Sequence, residues 1–166
     1  MKKIAIIING AGGVGKDTLC DIAARHFKVV NVSSITPIKE IAANYGWNGE
    51  KNAKSRKFLS DLKRVFIDYN DLPTNYLYEQ YKAFVDSDNE VYFAHIREGE
   101  EIDKLKSLIG EGCVTLLVER QTGNNEWGNT SDDEVKNYKY DHIFDNNKPL
   151  DEVEKDFIAF LKGLLV

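Results

Sequence analysis

The sequence predicts a three-layer α/β fold with a mainly parallel, five-stranded sheet and helices on both faces. Three observations carry this. Short apolar runs at residues 4–8, 29–32, 91–96, 114–118 and 142–144 read as strands buried on both sides. Helical spacing of apolar residues fills the longer intervals between them. Strands alternating with helices pack as a parallel sheet between helical layers.

The first run, Ile4-Ala5-Ile6-Ile7-Ile8, is rich in β-branched residues and is ended by Asn9-Gly10. Leu19, Ile22, Ala23 and Phe27 then recur at helical spacing before the second run. Thr36-Pro37 marks a helix start, a capping residue followed by proline at the first position. Ile38, Ile41, Ala42 and Tyr45 give that helix one apolar face. Phe58, Leu59, Leu62, Val65, Phe66 and Tyr69 form a stripe that predicts a helix over 54–69. Leu72-Pro73-Thr74 breaks it, and Leu77, Tyr81, Phe84 and Val85 suggest another helix. Residues 36–86 thus read as a helical insertion between strands two and three. Ile102, Leu105, Leu108 and Ile109 place a helix after the third strand, ended by Gly110 or Gly112. Pro149 begins a final helix with Leu150, Val153, Phe157, Phe160, Leu161 and Leu164 inward.

Length and composition bound the reading. The chain of 166 residues suffices for one domain, residues 1–166, with a full core. Its 42% hydrophobic and 30% charged content is ordinary for a globular protein. A net charge of −5 argues against a general nucleic-acid binder, though not against a local basic pocket. Cys20 and Cys113 read as reduced core residues. The apolar runs fall short of a membrane span, and Met1-Lys2-Lys3 leads straight into a strand rather than a cleavable signal. The expected compartment is the cytoplasm.

The most specific stretch is Gly10-Ala11-Gly12-Gly13-Val14-Gly15-Lys16-Asp17-Thr18, between the first strand and the first helix. Gly10, Gly15 and Lys16 satisfy the G-x-x-x-x-G-K core of a phosphate-binding P-loop. Glycines let the backbone curl around an anion with its N–H groups inward. The following helix adds N–H groups and the positive end of its dipole. Lys16 then reaches the β- and γ-phosphates of a nucleotide. The position after the lysine is Asp17 instead of Ser or Thr, so Asp17 is the candidate Mg²⁺ ligand, directly or through water. Thr18 is placed to hydrogen-bond an α-phosphate.

Ligands of such sheets gather at the carboxyl ends of the strands. Those ends carry the loop, Ser33-Ser34, His95-Ile96-Arg97 and Glu119-Arg120. Guanidinium groups pair two phosphate oxygens at once, which makes Arg97, Arg120 and Arg56 candidates. Arg25 and Arg64 read as helix surface. His26, His95 and His142 lack metal-ligand spacing. Residues 120–133 are polar, with two glycines, and read as a candidate lid over the site.

These residues together resemble a family. GAGGVGKDT resembles the P-loop of nucleoside monophosphate kinases, and its Gly-Lys-Asp-Thr ending that of the phage-type deoxynucleoside monophosphate kinases. Thr36-Pro37-Ile38-Lys39 is similar to their acceptor-side helix start, and Arg56 to an arginine before a Leu-rich helix. His95-Ile96-Arg97-Glu98 resembles their strand-end arginine segment, with His95 where relatives carry Asp. Tyr140-Asp141-His142-Ile143-Phe144-Asp145-Asn146 resembles the last strand and its Asn-containing turn. Residues 120–133 lack the full arginine set of a typical lid.

The resemblance implies the P-loop kinase fold and transfer of the γ-phosphoryl of ATP, with Mg²⁺, to the phosphate of a (deoxy)nucleoside monophosphate. It implies that Lys16 and Arg120 neutralise the migrating group. It implies that Ser33, Arg56 and Arg97 serve the acceptor. Two alternatives stay open: another small-metabolite kinase of the dephospho-coenzyme A kinase type, and an ATPase using Glu119 to activate water. A GTP switch is disfavoured, because Asn147-Lys148-Pro149-Leu150 lacks the Asp of the base-reading motif and no Asp-x-x-Gly follows a strand.

Overall fold

A computed structural model describes residues 2–121 and 135–166. In chain order these form β1 (Ile4–Asn9), α1 (Lys16–His26), β2 (Val29–Ser33), α2 (Thr36–Asn44), α3 (Ala53–Asn70) and α4 (Leu72–Val85). Then follow β3 (Val91–His95), α5 (Gly99–Ile109), β4 (Cys113–Glu119), β5 (His142–Asp145) and α6 (Leu150–Leu164). The strands make one sheet in the order β2-β3-β1-β4-β5, and each neighbouring pair is parallel. β1 is central, as its apolar run requires, and every one of its residues is buried.

Alternation along β1 feeds two cores. Ile4, Ile6 and Ile8 join Leu19, Ile22 and Ala23 of α1 and Val153, Phe157 and Leu161 of α6 on one face. Ala5 and Ile7 join Leu77 and Phe84 of α4 and Ile102 and Leu105 of α5 on the other. A strand between two helical layers has no solvent face, so its sequence is continuously apolar. Both cysteines are free and buried. Among the described residues no helix is long and apolar enough to cross a membrane.

The insertion α2–α4 lies between β2 and β3, as expected, but its details correct the sequence reading. Thr36 is the first helical residue, not the cap. Ile35 holds the cap position and no side chain caps the helix. The Ser33 hydroxyl instead accepts from Ile35 N at 3.4 Å, one turn too early to serve α2.

The larger correction concerns α3. Its cap is Asn52, whose side chain accepts from Ser55 N at 2.8 Å. Its buried residues are Ser55, Lys63 and Ile67, not the apolar stripe. Phe58, Val65 and Tyr69 are 45%, 60% and 82% exposed. Leu59, Leu62 and Phe66 are half-buried. The helix is therefore rotated to send a lysine inward.

Smaller departures follow from helix ends. Asp71, at φ 53°, separates α3 from α4, and the proline follows inside the first turn of α4. Tyr45, Val85, Leu108 and Leu150, expected inward, are exposed at the terminal turns of their helices. Gly110, at φ 86°, ends α5.

Candidate active site

The Gly10–Thr18 loop joins the carboxyl end of the central strand to α1, and two of its glycines are in the left-handed region, Gly13 at φ 82° and Gly15 at φ 84°. Side chains other than glycine rarely tolerate that backbone. A Cβ on Gly13 would meet nothing within 4 Å, so that glycine is required by its backbone conformation and not by crowding. Ala11 and Val14 are buried and anchor the loop to the core below. Gly15 is also the N-cap of α1, and no side chain caps the helix. The first-turn N–H groups of α1 and its dipole thus face the loop's concavity. Lys16 is half-buried, and Asp17 and Thr18 are exposed.

Two asparagines fix this loop, and the sequence reading assigned neither a role. Asn9 is fully buried. Its Oδ1 accepts from Gly10 N at 2.9 Å. Its Nδ2 donates to Arg97 O at 3.1 Å and to Tyr140 Oη at 3.0 Å. Asn146 Nδ2 donates to Val14 O at 2.7 Å, and its backbone N donates to Glu119 O at 2.8 Å. A Cβ on Gly15 would stand 2.6 Å from Asn146 Nδ2. The available signal was a polar residue ending a buried strand, since a buried amide must find partners.

Register decides which candidates converge. Ile8 of β1 pairs with His95 of β3 and with Leu116 of β4. Ser33 of β2 pairs with His95, and Ser34 N donates to His95 O at 3.1 Å. The strand ends therefore place Ser33-Ser34 and His95–Arg97 on one side of the loop and Glu119-Arg120 on the other. Arg97, Glu119 and Arg120 are exposed at this edge. Arg56 is exposed near the start of α3. The candidate lid at 120–133 lies, beyond Gln121, outside the described residues.

His95 is no ligand cluster. Its Nε2 donates to Asn31 Oδ1 at 2.6 Å and lies 3.7 Å from Cys20 Sγ. Burial, then the nearby charge of Lys16, pulls the imidazole down to about 4, so the ring is neutral at pH 7. Burial, then the charge of Asp17, pushes the Cys20 thiol up, out of the nucleophilic range.

Among the described residues no group of three His, Cys, Asp or Glu side chains forms a metal cage. Mg²⁺ bound through phosphates needs only one or two protein oxygens and keeps its waters. Asp17, exposed at the mouth of the loop, and Thr18 beside it are the oxygens on offer.

No family model matches the chain, and no curated protein matches it in sequence. Solved structures do match. Shikimate kinase from Aquifex aeolicus aligns over 96% of this chain and 97% of its own, at 15% identity and a TM-score of 0.59. The tunicamycin resistance protein of Deinococcus radiodurans covers 96% of each chain at 12% identity and a TM-score of 0.61. A gluconokinase from Sinorhizobium meliloti covers 98% of this chain and 93% of its own at 14% identity and a TM-score of 0.51. The fold is that of the P-loop kinases.

Proposed function

We propose that this protein transfers the γ-phosphoryl of ATP to the phosphate of a small acceptor, a (deoxy)nucleoside monophosphate. The observation that carries the reading is the double attachment of Asn9. One amide holds Gly10 of the phosphate loop and the backbone of Arg97, so a donor loop and a phosphate-pairing guanidinium share one rigid support. Phosphoryl transfer asks for this kind of placement more than for a general base.

In this reading the glycine loop and the α1 N-terminus hold the donor phosphates, with Lys16 on the β- and γ-oxygens. The bond between the γ-phosphorus and its bridging oxygen breaks as an acceptor phosphate oxygen bonds to that phosphorus. Lys16 and Arg120 offset the charge in flight. Arg56 and Arg97 hold the acceptor phosphate, and Ser33 sits beside them. Asp17 would hold a Mg²⁺ ion, which when bound would supply further charge neutralisation.

An ADP-release assay over a panel of nucleoside monophosphates tests this reading. The expected result is ADP formed only when one of them is present. Shikimate and gluconate, the acceptors in the names of two of the fold neighbours, are assayed beside the panel. ADP formation with a hydroxyl acceptor and with no monophosphate would replace the nucleotide reading by a small-metabolite kinase. Phosphate release without any acceptor would replace it by an ATPase.

A further inference from the structure

Lys63 stands near the middle of α3 and is 8% exposed. Its ammonium donates to Glu98 Oε1 at 3.1 Å, Glu98 Oε2 at 2.9 Å and Ser34 Oγ at 3.0 Å. Three protons thus meet three oxygens. Ser34 follows β2, and Glu98 directly follows Arg97 after β3. One side chain therefore ties α3 to two strand ends at the ligand edge of the sheet.

The tie runs against the helix's own sequence. An amphipathic helix normally buries its apolar stripe. Here Leu59, Leu62 and Phe66 are half-buried, but Phe58, Val65 and Tyr69 face water while a lysine takes the buried position. Both choices oppose the hydrophobic effect and the hydration of charge. An ion pair between a buried lysine and a half-exposed carboxylate is weak support for a fold, so stability alone does not explain it. Local rules broken in this way concentrate at functional sites.

Helix geometry says what the tie orients. Residues 56, 60, 63 and 67 follow one face of α3. Arg56 therefore lies on the face that Lys63 anchors, about 10 Å along the axis. At the other end of the ion pair, Glu98 is the chain neighbour of Arg97.

We propose that Lys63 is a positioning residue for the acceptor site: by clamping Glu98 and Ser34 it fixes the face of α3 bearing Arg56 against the turn bearing Arg97. This rests on the reading above in one respect, that an acceptor phosphate sits between those arginines. Lys63 itself touches no substrate. It sets the spacing of the two guanidinium groups, and a clamp misplaced by about 1 Å can lose about a hundredfold in efficiency.

The test uses the full chain with its donor site saturated by AMP-PNP and Mg²⁺, and titrates inorganic phosphate by calorimetry. Wild type, Lys63→Met, Lys63→Arg and Glu98→Gln are compared, with a melting curve for each. Wild type is expected to bind phosphate. Lys63→Met and Glu98→Gln are expected to bind it about tenfold more weakly or worse, with unchanged AMP-PNP affinity. Lys63→Arg, which keeps the charge and the carboxylate pairing, is expected to recover part of the loss. Should Lys63→Met not fold, Glu98→Gln gives the same readout with its shape preserved. Unchanged phosphate affinity in a folded variant overturns the proposal, as does an equal loss of AMP-PNP affinity. A wild type that takes up no phosphate overturns it as well, because no arginine clamp then exists to position. The nucleotide reading fails separately, when phosphate binding follows the expected pattern but no monophosphate yields ADP.

Discussion

Asn146, beyond the last strand, holds the phosphate loop shut from behind: its side chain donates to Val14 O at 2.7 Å, across 132 residues of sequence. The same amide nitrogen stands where a Cβ on Gly15 would have to go. The loop's curvature is therefore enforced by a residue that belongs to neither the loop nor its flanking elements.

Asn146→Ala is expected to leave the Val14 carbonyl without its partner. Such a loss costs about 1–3 kcal/mol when the group is buried. Nucleotide affinity should fall by about tenfold, with a melting temperature lower by about 2–12 °C. Calorimetry with AMP-PNP and a melting curve check this. Unaltered AMP-PNP affinity would show that the loop keeps its shape unaided.

Gly15→Ala combines two faults, a left-handed backbone at φ 84° and a 2.6 Å clash with Asn146. The backbone alone costs about 1–2 kcal/mol. The variant is expected to lose nucleotide binding and to melt at a lower temperature. Gly13→Ala has the same backbone strain, at φ 82°, but no clash, so its melting temperature should fall less. A larger fall for Gly13→Ala would contradict the packing argument.

Lys16→Ala removes a half-buried side chain at the first turn of α1 and little packing. ATP-dependent transfer should drop by about a hundred- to a thousandfold, since a fixed donor to developing charge is lost. The melting temperature should hold. Full activity in the variant would remove Lys16 from the phosphate site.

Arg97→Lys keeps the charge and loses the planar fork that pairs two phosphate oxygens. The acceptor KM should rise about tenfold, the size of a lost charged hydrogen bond, with the ATP KM nearly unchanged. A rise in the ATP KM instead would assign Arg97 to the donor side.

His95 should remain neutral far below the ordinary imidazole value of 6.5, with a midpoint of about 4. The cause is burial, with the charge of Lys16 adding to it. Because the folded value is depressed, the unfolded chain takes up the proton first as pH falls. This group's contribution to stability is therefore present above about pH 6.5 and is lost progressively toward pH 4. An NMR titration of the ring protons measures it, and a midpoint near 6.5 would refute the burial argument.

The strands and the phosphate loop were legible in the sequence because their signals are local. Ile4 to Ile8 is apolar without a break, and only a strand buried on both faces asks for that. Gly10, Gly15 and Lys16 sit at fixed spacing because backbone curvature around an anion requires it. The order of the strands follows from neither signal; it rests on which apolar faces meet in space. The carboxyl-edge placement of Arg97 and Arg120 could be read from strand ends alone, whereas the Asn9 amide that holds the Arg97 backbone could not. Asn9, Asn146 and Tyr140 carry no local pattern, and their roles exist only once β1, β3 and the turn after β5 are adjacent.

Helix α3 shows the limit most clearly. Its apolar periodicity announces a helix but only part of the inner face: Leu59, Leu62 and Phe66 are half-buried, while the buried residues are Ser55, Lys63 and Ile67. Periodicity reports which residues can share a face; it does not report what waits on the other side. Here Glu98 and Ser34 wait there, and a half-exposed carboxylate beside a hydroxyl is better met by the ammonium of Lys63 than by Phe58 or Val65. By itself the sequence determined the elements, the parallel sheet and the phosphate loop, because hydrophobic period and glycine spacing are properties of neighbouring residues. The tertiary structure alone decided the rotation of α3 and the supports of the loop, because a buried polar group takes its partners from wherever the fold brings them.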